Sequence, residues 1–167
     1  TLLSNVELIK QTDIIILAVK PWIVESIVNE IKKHIDYKKQ LIVSVAAGVD
    51  FSQLSTLFLN NKKEIPTLFR MIPNTAIAIN KGVLTLSHNN ATNEQLELVE
   101  TLFNEMGDVF IVGENQLNAF MSLSSCGIAY AFRYIRAAVE GAVEMGINAE
   151  VAQKVVDAAI KEFGRID

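Results

Sequence analysis

The sequence contains few of the residues on which several classes of protein depend. Its 167 residues include one cysteine, three prolines and two histidines. The single cysteine, Cys126, excludes a disulfide framework and is typical of a protein from a reducing compartment. His34 and His88 lie in unrelated segments without the spacing of metal ligands, so we expect no metal site.

The sequence also lacks a basic block and a long apolar run. Fifteen Lys and Arg stand against nineteen Asp and Glu, which gives a net charge of -4, and 50% of the residues are hydrophobic. This balance argues against nucleic acid or a membrane surface as the main partner. The run Ile14–Val19 is far shorter than the roughly 18–20 residues of a membrane span. These features predict a globular protein of the cytoplasm.

Strand and helix signals alternate through the first two thirds of the chain. Helix starts are predicted at Pro21 and at the capping boxes Ser4-x-x-Glu7, Asp50-x-x-Gln53 and Thr92-x-x-Gln95. The first strand is rich in β-branched residues without alternation, so we expect it to be buried on both faces. This order is typical of a doubly wound α/β domain. The predicted strands are Ile14–Val19, Leu41–Ala46, Thr67–Ile72, Val83–Ser87 and Val109–Val112.

The last third of the chain has only helical signals. The predicted helices there include Ala129–Glu144 and Ala149–Phe163. The change in character falls near Gly113, which predicts an α/β domain over residues 1–113 and an all-α region over 114–167.

A ligand is expected beyond the carboxyl ends of the strands, as in other doubly wound sheets. The small residues of Ala46-Ala47-Gly48 would let a ring or a phosphate approach the backbone. The ammonium of Lys20 suits a phosphate or ribose, and Asn74 carries a donor and an acceptor. The alternative is three ordinary turns, since these residue types are common in turns. No catalytic residue can be named: a nucleophilic Cys126 competes with a simple packing role.

Four segments resemble the pyrroline-5-carboxylate reductases. Leu17–Pro21, Ile42–Val49 and Arg70–Thr75 follow in one order and at one spacing, and Leu123–Tyr130 looks like a variant of the segment that opens the family's helical domain. The resemblance implies a Rossmann-type doubly wound sheet, incomplete here, followed by an all-α dimerisation domain. It also implies NADP or NAD as cofactor and a homo-oligomer formed through the C-terminal helices.

The reaction implied by the resemblance is hydride transfer to the C=N bond of 1-pyrroline-5-carboxylate, which gives L-proline. A cyclic imine protonates readily, so the protein mainly has to align the cofactor with the imine carbon. By match to the family's motifs, the adenosine side of the cofactor would be lined by Ala18, Val19, Lys20 and Pro21. The pyrophosphate and nicotinamide would lie nearer Ala46, Ala47, Gly48, Pro73 and Asn74.

The chain departs from the family pattern in several places. Ser125, Cys126 and Ile128 replace the family's usual Gly, Ser and Pro. The Gly-x-Gly-x-x-Gly turn that holds the pyrophosphate and the loop that holds the substrate carboxylate are both missing. We therefore expect an internal piece of the full enzyme, which binds cofactor only weakly when expressed alone. The preference for NAD or NADP and the oligomer size are not readable from the sequence.

Two other functions fit the sequence. A related dehydrogenase of the 3-hydroxyacid type would also pair a Rossmann domain with a helical tail. Such enzymes usually carry a catalytic lysine in the helical segment, and Glu114–Gly146 has none. The chain could instead be a non-catalytic module that dimerises through its C-terminal helices.

Overall fold

Five strands and seven α-helices make up the part of the chain that the computed structural model describes, residues 4–163 without the side chain of Phe163. The ends of the two predicted domains, residues 1–3 and 164–167, lie outside it. Two 3₁₀ turns, Thr75–Ile79 and Glu114–Gln116, complete the order. The helices and strands are Asn5–Ile9 (α1), Ile14–Leu17 (β1), Pro21–Ile31 (α2), Leu41–Ser44 (β2), Phe51–Phe58 (α3), Thr67–Ile72 (β3), Gly82–Asn89 (β4), Asn93–Asn104 (α4), Gly107–Ile111 (β5), Leu117–Ser124 (α5), Cys126–Glu144 (α6) and Ala149–Phe163 (α7).

The strands form one sheet in the order β1-β2-β3-β4-β5. β1, β2 and β3 are parallel to one another, and so are β4 and β5. β4 runs antiparallel to β3. The reason is the connection over residues 73–81, which is shorter than the dozen or more residues that a parallel crossover needs.

Helices cover both faces of the sheet, which confirms the doubly wound α/β class. On the first face, Ile15, Ile42 and Leu68 of the strands pack in one cluster with side chains of α1, α2 and α3. On the second face, strand residues such as Val43 and Phe69 pack in another cluster, which includes α4. Because successive strand residues point to opposite faces, β2 and β3 contribute to both clusters, whereas the residues of β4 lie in the second one.

Two local predictions are wrong. Ile14–Val19 is not buried on both faces: the strand ends at Leu17, and Ile16 is 46% exposed. The cause is sheet order, since β1 lies at an edge of the described sheet, while α4 packs on β4 and β5. The Ser4 capping box does not form, although α1 begins after Ser4. The capping boxes of Asp50 and Thr92 are both present.

The described chain divides into two compact units, one up to Ser125 and one from Cys126 onward. α5 belongs to the first unit because it packs on β4. The boundary near Gly113 therefore stays a prediction. In the second unit, α6 and α7 pack together as a hairpin that turns at Gly146. Across the described residues, each helix is too short or too polar to cross a bilayer.

Candidate functional site

The three predicted turns lie at one edge of the sheet. β1, β2 and β3 are neighbours and parallel, so their carboxyl ends meet at the same edge. The backbone N–H of Val45 donates to the carbonyl oxygen of Leu17 at 3.2 Å, which joins the first two turns directly. The structure thus brings the predicted residues to the edge where ligands bind in sheets of this class. We call this region the carboxyl edge.

The first turn, Ala18–Pro21, leads directly into α2. Pro21 occupies the first helical position, where its missing N–H removes no hydrogen bond. The carbonyl oxygen of Lys20 accepts the backbone N–H of Ile23 at 2.9 Å. The side chain of Lys20 is exposed, and its ammonium has no hydrogen-bond or ion-pair partner in the described part of the chain. A free cation therefore stands at this turn.

The second turn, Ala46–Gly48, combines a buried residue with an open surface. Ala46 is buried, whereas Ala47 and Gly48 are exposed. Gly48 has a φ of +83°, a conformation that strains any residue with a Cβ. The position that a Cβ would take there has no heavy atom within 4 Å. A ligand can therefore approach the backbone closely at this turn.

The side chain of Asn74, at the third turn, is bonded within the protein. Its Oδ1 accepts the backbone N–H groups of Ala76 and Val83, both at 3.2 Å. Its Nδ2 donates to the carbonyl oxygen of Ser124 at 3.1 Å. The hydroxyl of Ser125 donates to the carbonyl oxygen of Pro73 at 3.2 Å. Asn74 therefore holds the turn in place and keeps one amide N–H for other partners.

Sequence reasoning missed a buried charge pair on the first face of the sheet. Arg70, in the middle of β3, donates from Nη1 to Oε1 of Glu114 at 2.7 Å. The same oxygen accepts the backbone N–H of Phe51, at the start of α3, at 2.6 Å. The guanidinium carbon also lies 5.9 Å from the centre of the Phe51 ring. An arginine inside an apolar strand is the sequence signal that a buried partner exists.

A cleft of about 370 Å³ lies between α2 and α3. Its wall includes Pro21, at the end of the first turn, and Val49, directly after the second, together with Glu25 and Gln53.

Cys126 is exposed at the start of α6. In residues 4–163, no three His, Cys, Asp or Glu side chains are grouped so that they could hold a metal ion.

Comparison with family models gives one match in each part of the chain. The family described as "Pyrroline-5-carboxylate reductase dimerisation" matches residues 114–165. The family described as "NADP oxidoreductase coenzyme F420-dependent" matches residues 1–48.

Similar proteins extend the match to almost the whole chain. Pyrroline-5-carboxylate reductase 3 of Danio rerio is 32% identical over 96% of this chain and 54% of its own length. The reductase of Methanosarcina acetivorans is 32% identical over 93% of this chain and 58% of its own length. The structure of Plasmodium falciparum pyrroline carboxylate reductase with NADP bound has a TM-score of 0.85 and 27% identity, over 95% of this chain and 59% of that one.

The chain thus spans about half the length of the curated relatives that it matches. The match includes the carboxyl edge and the helical region in a single order. By sequence and by fold, the chain is similar to the pyrroline-5-carboxylate reductases over almost its whole length.

Proposed function

We propose that the protein transfers a hydride from NADPH or NADH to the C=N bond of 1-pyrroline-5-carboxylate, giving L-proline. The observation that carries the proposal is the similarity to pyrroline-5-carboxylate reductases over 89–96% of the chain, including the three turns of the carboxyl edge. A relative of the same fold has NADP bound.

The residues of the carboxyl edge fit a dinucleotide. The free ammonium of Lys20 suits a phosphate, and the open space in front of Gly48 gives room for a phosphate or a flat ring. In the proposed site, Ala18, Val19, Lys20 and Pro21 hold the adenosine side. Ala46, Ala47 and Gly48, with Pro73 and Asn74, lie nearer the pyrophosphate and nicotinamide.

The proposed reaction mainly requires that the nicotinamide of the cofactor be aligned with the imine carbon of the substrate. The nicotinamide, when bound, supplies the hydride. The chain's contribution is to fix the turns rigidly: Asn74 bonds Ala76, Val83 and Ser124, and the backbone of β1 bonds that of Val45. Rigid turns hold the reacting groups at the short distance that raises the rate of an otherwise bimolecular step.

We also propose that the protein is a cytoplasmic homodimer or larger homo-oligomer assembled through α6 and α7. The family that matches this region is described by its dimerisation. Apolar side chains of the hairpin are exposed in the single chain, among them Tyr130, Phe132, Val151 and Val155. A second copy would remove these side chains from water.

The test is an assay of NADPH oxidation that depends on 1-pyrroline-5-carboxylate, with the protein carrying its natural termini. Lys20→Gln should raise the KM for NADPH roughly tenfold and leave kcat nearly unchanged, because one contact to a charged group contributes about 1.5 kcal/mol. The matched control is Lys10→Gln, which removes an exposed lysine outside the carboxyl edge.

Two results would contradict the proposal. An intact dimer without turnover would favour a non-catalytic dimerising module. Turnover of 3-hydroxyacids in place of the cyclic imine would favour a dehydrogenase of that type.

A further inference from the structure

A basic concavity lies at the edge of the sheet opposite the carboxyl edge. It is formed by two neighbouring loops, residues 32–40 before β2 and residues 59–66 before β3. Its volume is about 760 Å³. The two loops contain six lysines and only two acidic residues, Asp36 and Glu64, although the chain as a whole has a net charge of -4. We call this concavity the lysine basin; Lys32, Lys33, Lys38 and Lys62 line it, and Lys39 and Lys63 belong to the same loops.

The two carboxylates of the basin do not neutralise its lysines. Oδ1 of Asp36 accepts the backbone N–H of Lys38 at 3.0 Å. Oε2 of Glu64 accepts an amide N–H of Asn60 at 3.0 Å. Among the described residues, the ion pairs are formed elsewhere in the fold. The ammonium of Lys32 donates to the carbonyl oxygen of Leu57 at 3.3 Å, a hydrogen bond to a neutral group.

The loops that carry these charges are well organised. Oδ1 of Asn60 accepts the backbone N–H groups of Lys62 and Glu64, both at 2.9 Å. Lys63 is held at a φ of 61°, a left-handed conformation that is unfavourable for a lysine. Such order means that a ligand would not have to immobilise the loops when it binds.

Tyr37 ties the first loop to the end of α3, directly before the second loop. Its hydroxyl lies 2.8 Å from the carbonyl oxygen of Phe58 and 3.2 Å from that of Lys32, within hydrogen-bonding distance of both. Burial, and then the negative charge of Glu64, raise the pKa of Tyr37 above its usual value of 10.0. A tyrosine is protonated at neutral pH already, and the raised pKa extends the range in which the phenol can donate to higher pH.

We propose that the lysine basin binds an oligophosphate anion, two or more linked phosphate groups that are either free or part of a nucleotide. Lysine ammonium groups bind phosphate as point charges, and several of them can share a chain of phosphates. The volume is typical of small-molecule sites and far exceeds that of one phosphate ion. This site is separate from the reaction at the carboxyl edge and does not depend on it.

A long nucleic acid fits the basin less well. Two of the nineteen acidic residues lie in these loops, and the others lie elsewhere on the chain. The rest of the chain has 17 acidic residues against nine Lys and Arg, so a ligand that extends beyond the basin gains no further net positive charge. A compact anion interacts only with the basic loops.

The experiment is calorimetric titration of the protein, with its natural termini, with inorganic tripolyphosphate. We expect binding that weakens as KCl is raised, because salt screens exposed charges. Lys33→Gln combined with Lys62→Gln should weaken binding at least tenfold. The matched control is Lys10→Gln with Lys81→Gln, two exposed lysines outside the loops, which should leave the affinity unchanged. Lys20→Gln should also leave it unchanged, which separates the basin from the proposed cofactor site.

Parallel titrations with ATP and a single-stranded oligonucleotide identify the source of the phosphates. Equal affinity for ATP and tripolyphosphate supports recognition of the phosphate chain alone, and tighter binding of ATP supports a nucleotide. Absence of binding by both, unchanged affinity in the double variant of the basin, or tighter binding of the oligonucleotide would overturn the proposal. Because all substituted lysines are exposed, circular dichroism should show the same fold for every variant.

Discussion

At the residue scale, one set of contacts joins three separate parts of the α/β unit. These parts are β3 with Arg70, the start of α3 with Phe51, and the turn after β5 with Glu114. One oxygen of Glu114 bonds both the guanidinium of β3 and the first backbone N–H of α3. The side chain of Arg70 is 8% exposed and that of Glu114 is 35% exposed. A buried guanidinium that loses the carboxylate paired with it leaves an uncompensated charge, which costs more than the pair contributes. The pair is therefore a sensitive point of the fold.

Glu114→Ala should lower the free energy of unfolding by about 2 kcal/mol, below the usual cost of breaking a buried pair because Glu114 is partly exposed. Urea denaturation measures the change. The control is Glu150→Ala, which removes an exposed ion pair to Lys154 in α7 and should leave the stability nearly unchanged. Equal effects of the two substitutions would contradict the role assigned to Glu114.

Gly48→Ala tests the backbone of the second turn. The new Cβ meets open space, so the whole effect comes from the positive φ, and we expect a loss of about 1 kcal/mol in the free energy of unfolding. Gly141→Ala is the matched substitution, since Gly141 also faces open space but lies within α6. It should raise the stability by about 1 kcal/mol, because alanine favours helix. Destabilisation by both would indicate a cause other than φ.

At the scale of helices and strands, the capping residues show how local signals succeed and fail. The side chains of Asp50 and Thr92 each accept the backbone N–H of the third helical residue, which is a glutamine. The side-chain oxygen of that glutamine accepts the backbone N–H of the capping residue. Ser4 begins a similar pattern, Ser4-x-x-Glu7, yet its side chain makes no such bond. Similar sequence patterns thus give different caps, because the pattern supplies the hydrogen-bonding side chains but does not fix the direction in which the chain enters the helix.

Asp50→Ala and Thr92→Ala should each lower the free energy of unfolding by about 1 kcal/mol. Ser4→Ala should change it by only a few tenths of that, since no side-chain bond is lost. Thermal unfolding of the three variants under one buffer condition gives the comparison. A loss with Ser4→Ala as large as with the other two would show that its capping box does form in solution.

Several features of the fold could be predicted from the sequence because they depend on nearby residues. β3 has the predicted bounds, Thr67–Ile72, and α2 begins at Pro21. The exposure of Ile16 could not be predicted, since it depends on which strand lies at the sheet edge. The direction of β4 is different, because the short connection between the predicted strands Thr67–Ile72 and Val83–Ser87 already excludes a parallel crossover.

The candidate site likewise contains features that could be predicted from the sequence and features that could not. The three turns could be located because each follows a recognisable strand. The bond between Arg70 and Glu114 could not, since 44 residues separate them in sequence. The lysine basin was hidden for the same reason: its two loops are separated by β2 and α3, and neither forms a basic block alone.

At the scale of the whole molecule, the hairpin of α6 and α7 leaves a stripe that its own packing does not cover. Ala152 is buried, while Val151 and Val155 are 51% and 61% exposed. Residues four apart share a helical face, so these two valines form a continuous apolar strip. A strip of this kind matches the proposed contact with a second copy.

Val151→Glu combined with Val155→Glu should shift the proposed oligomer towards monomer, because association would bury two carboxylates without partners. Sedimentation velocity measures the change. Lys161→Gln, on the same helix, is the control and should leave the oligomer intact. A variant that stays fully associated would place the interface on another surface.

The hydrogen bonds of Asn74 have a consequence for the order in which the sheet assembles. The β3–β4 pair is closed by residues 73–81 alone, whereas the parallel pairs require whole helices to fold back first. A short loop costs the least entropy to close, so this hairpin should form early in folding. Asn74 bonds Ala76 and Val83 across that loop. Asn74→Ala should therefore slow refolding in stopped-flow experiments more than it speeds unfolding. A residue at the carboxyl edge, where the ligand is proposed to bind, would then also influence the rate at which the protein folds.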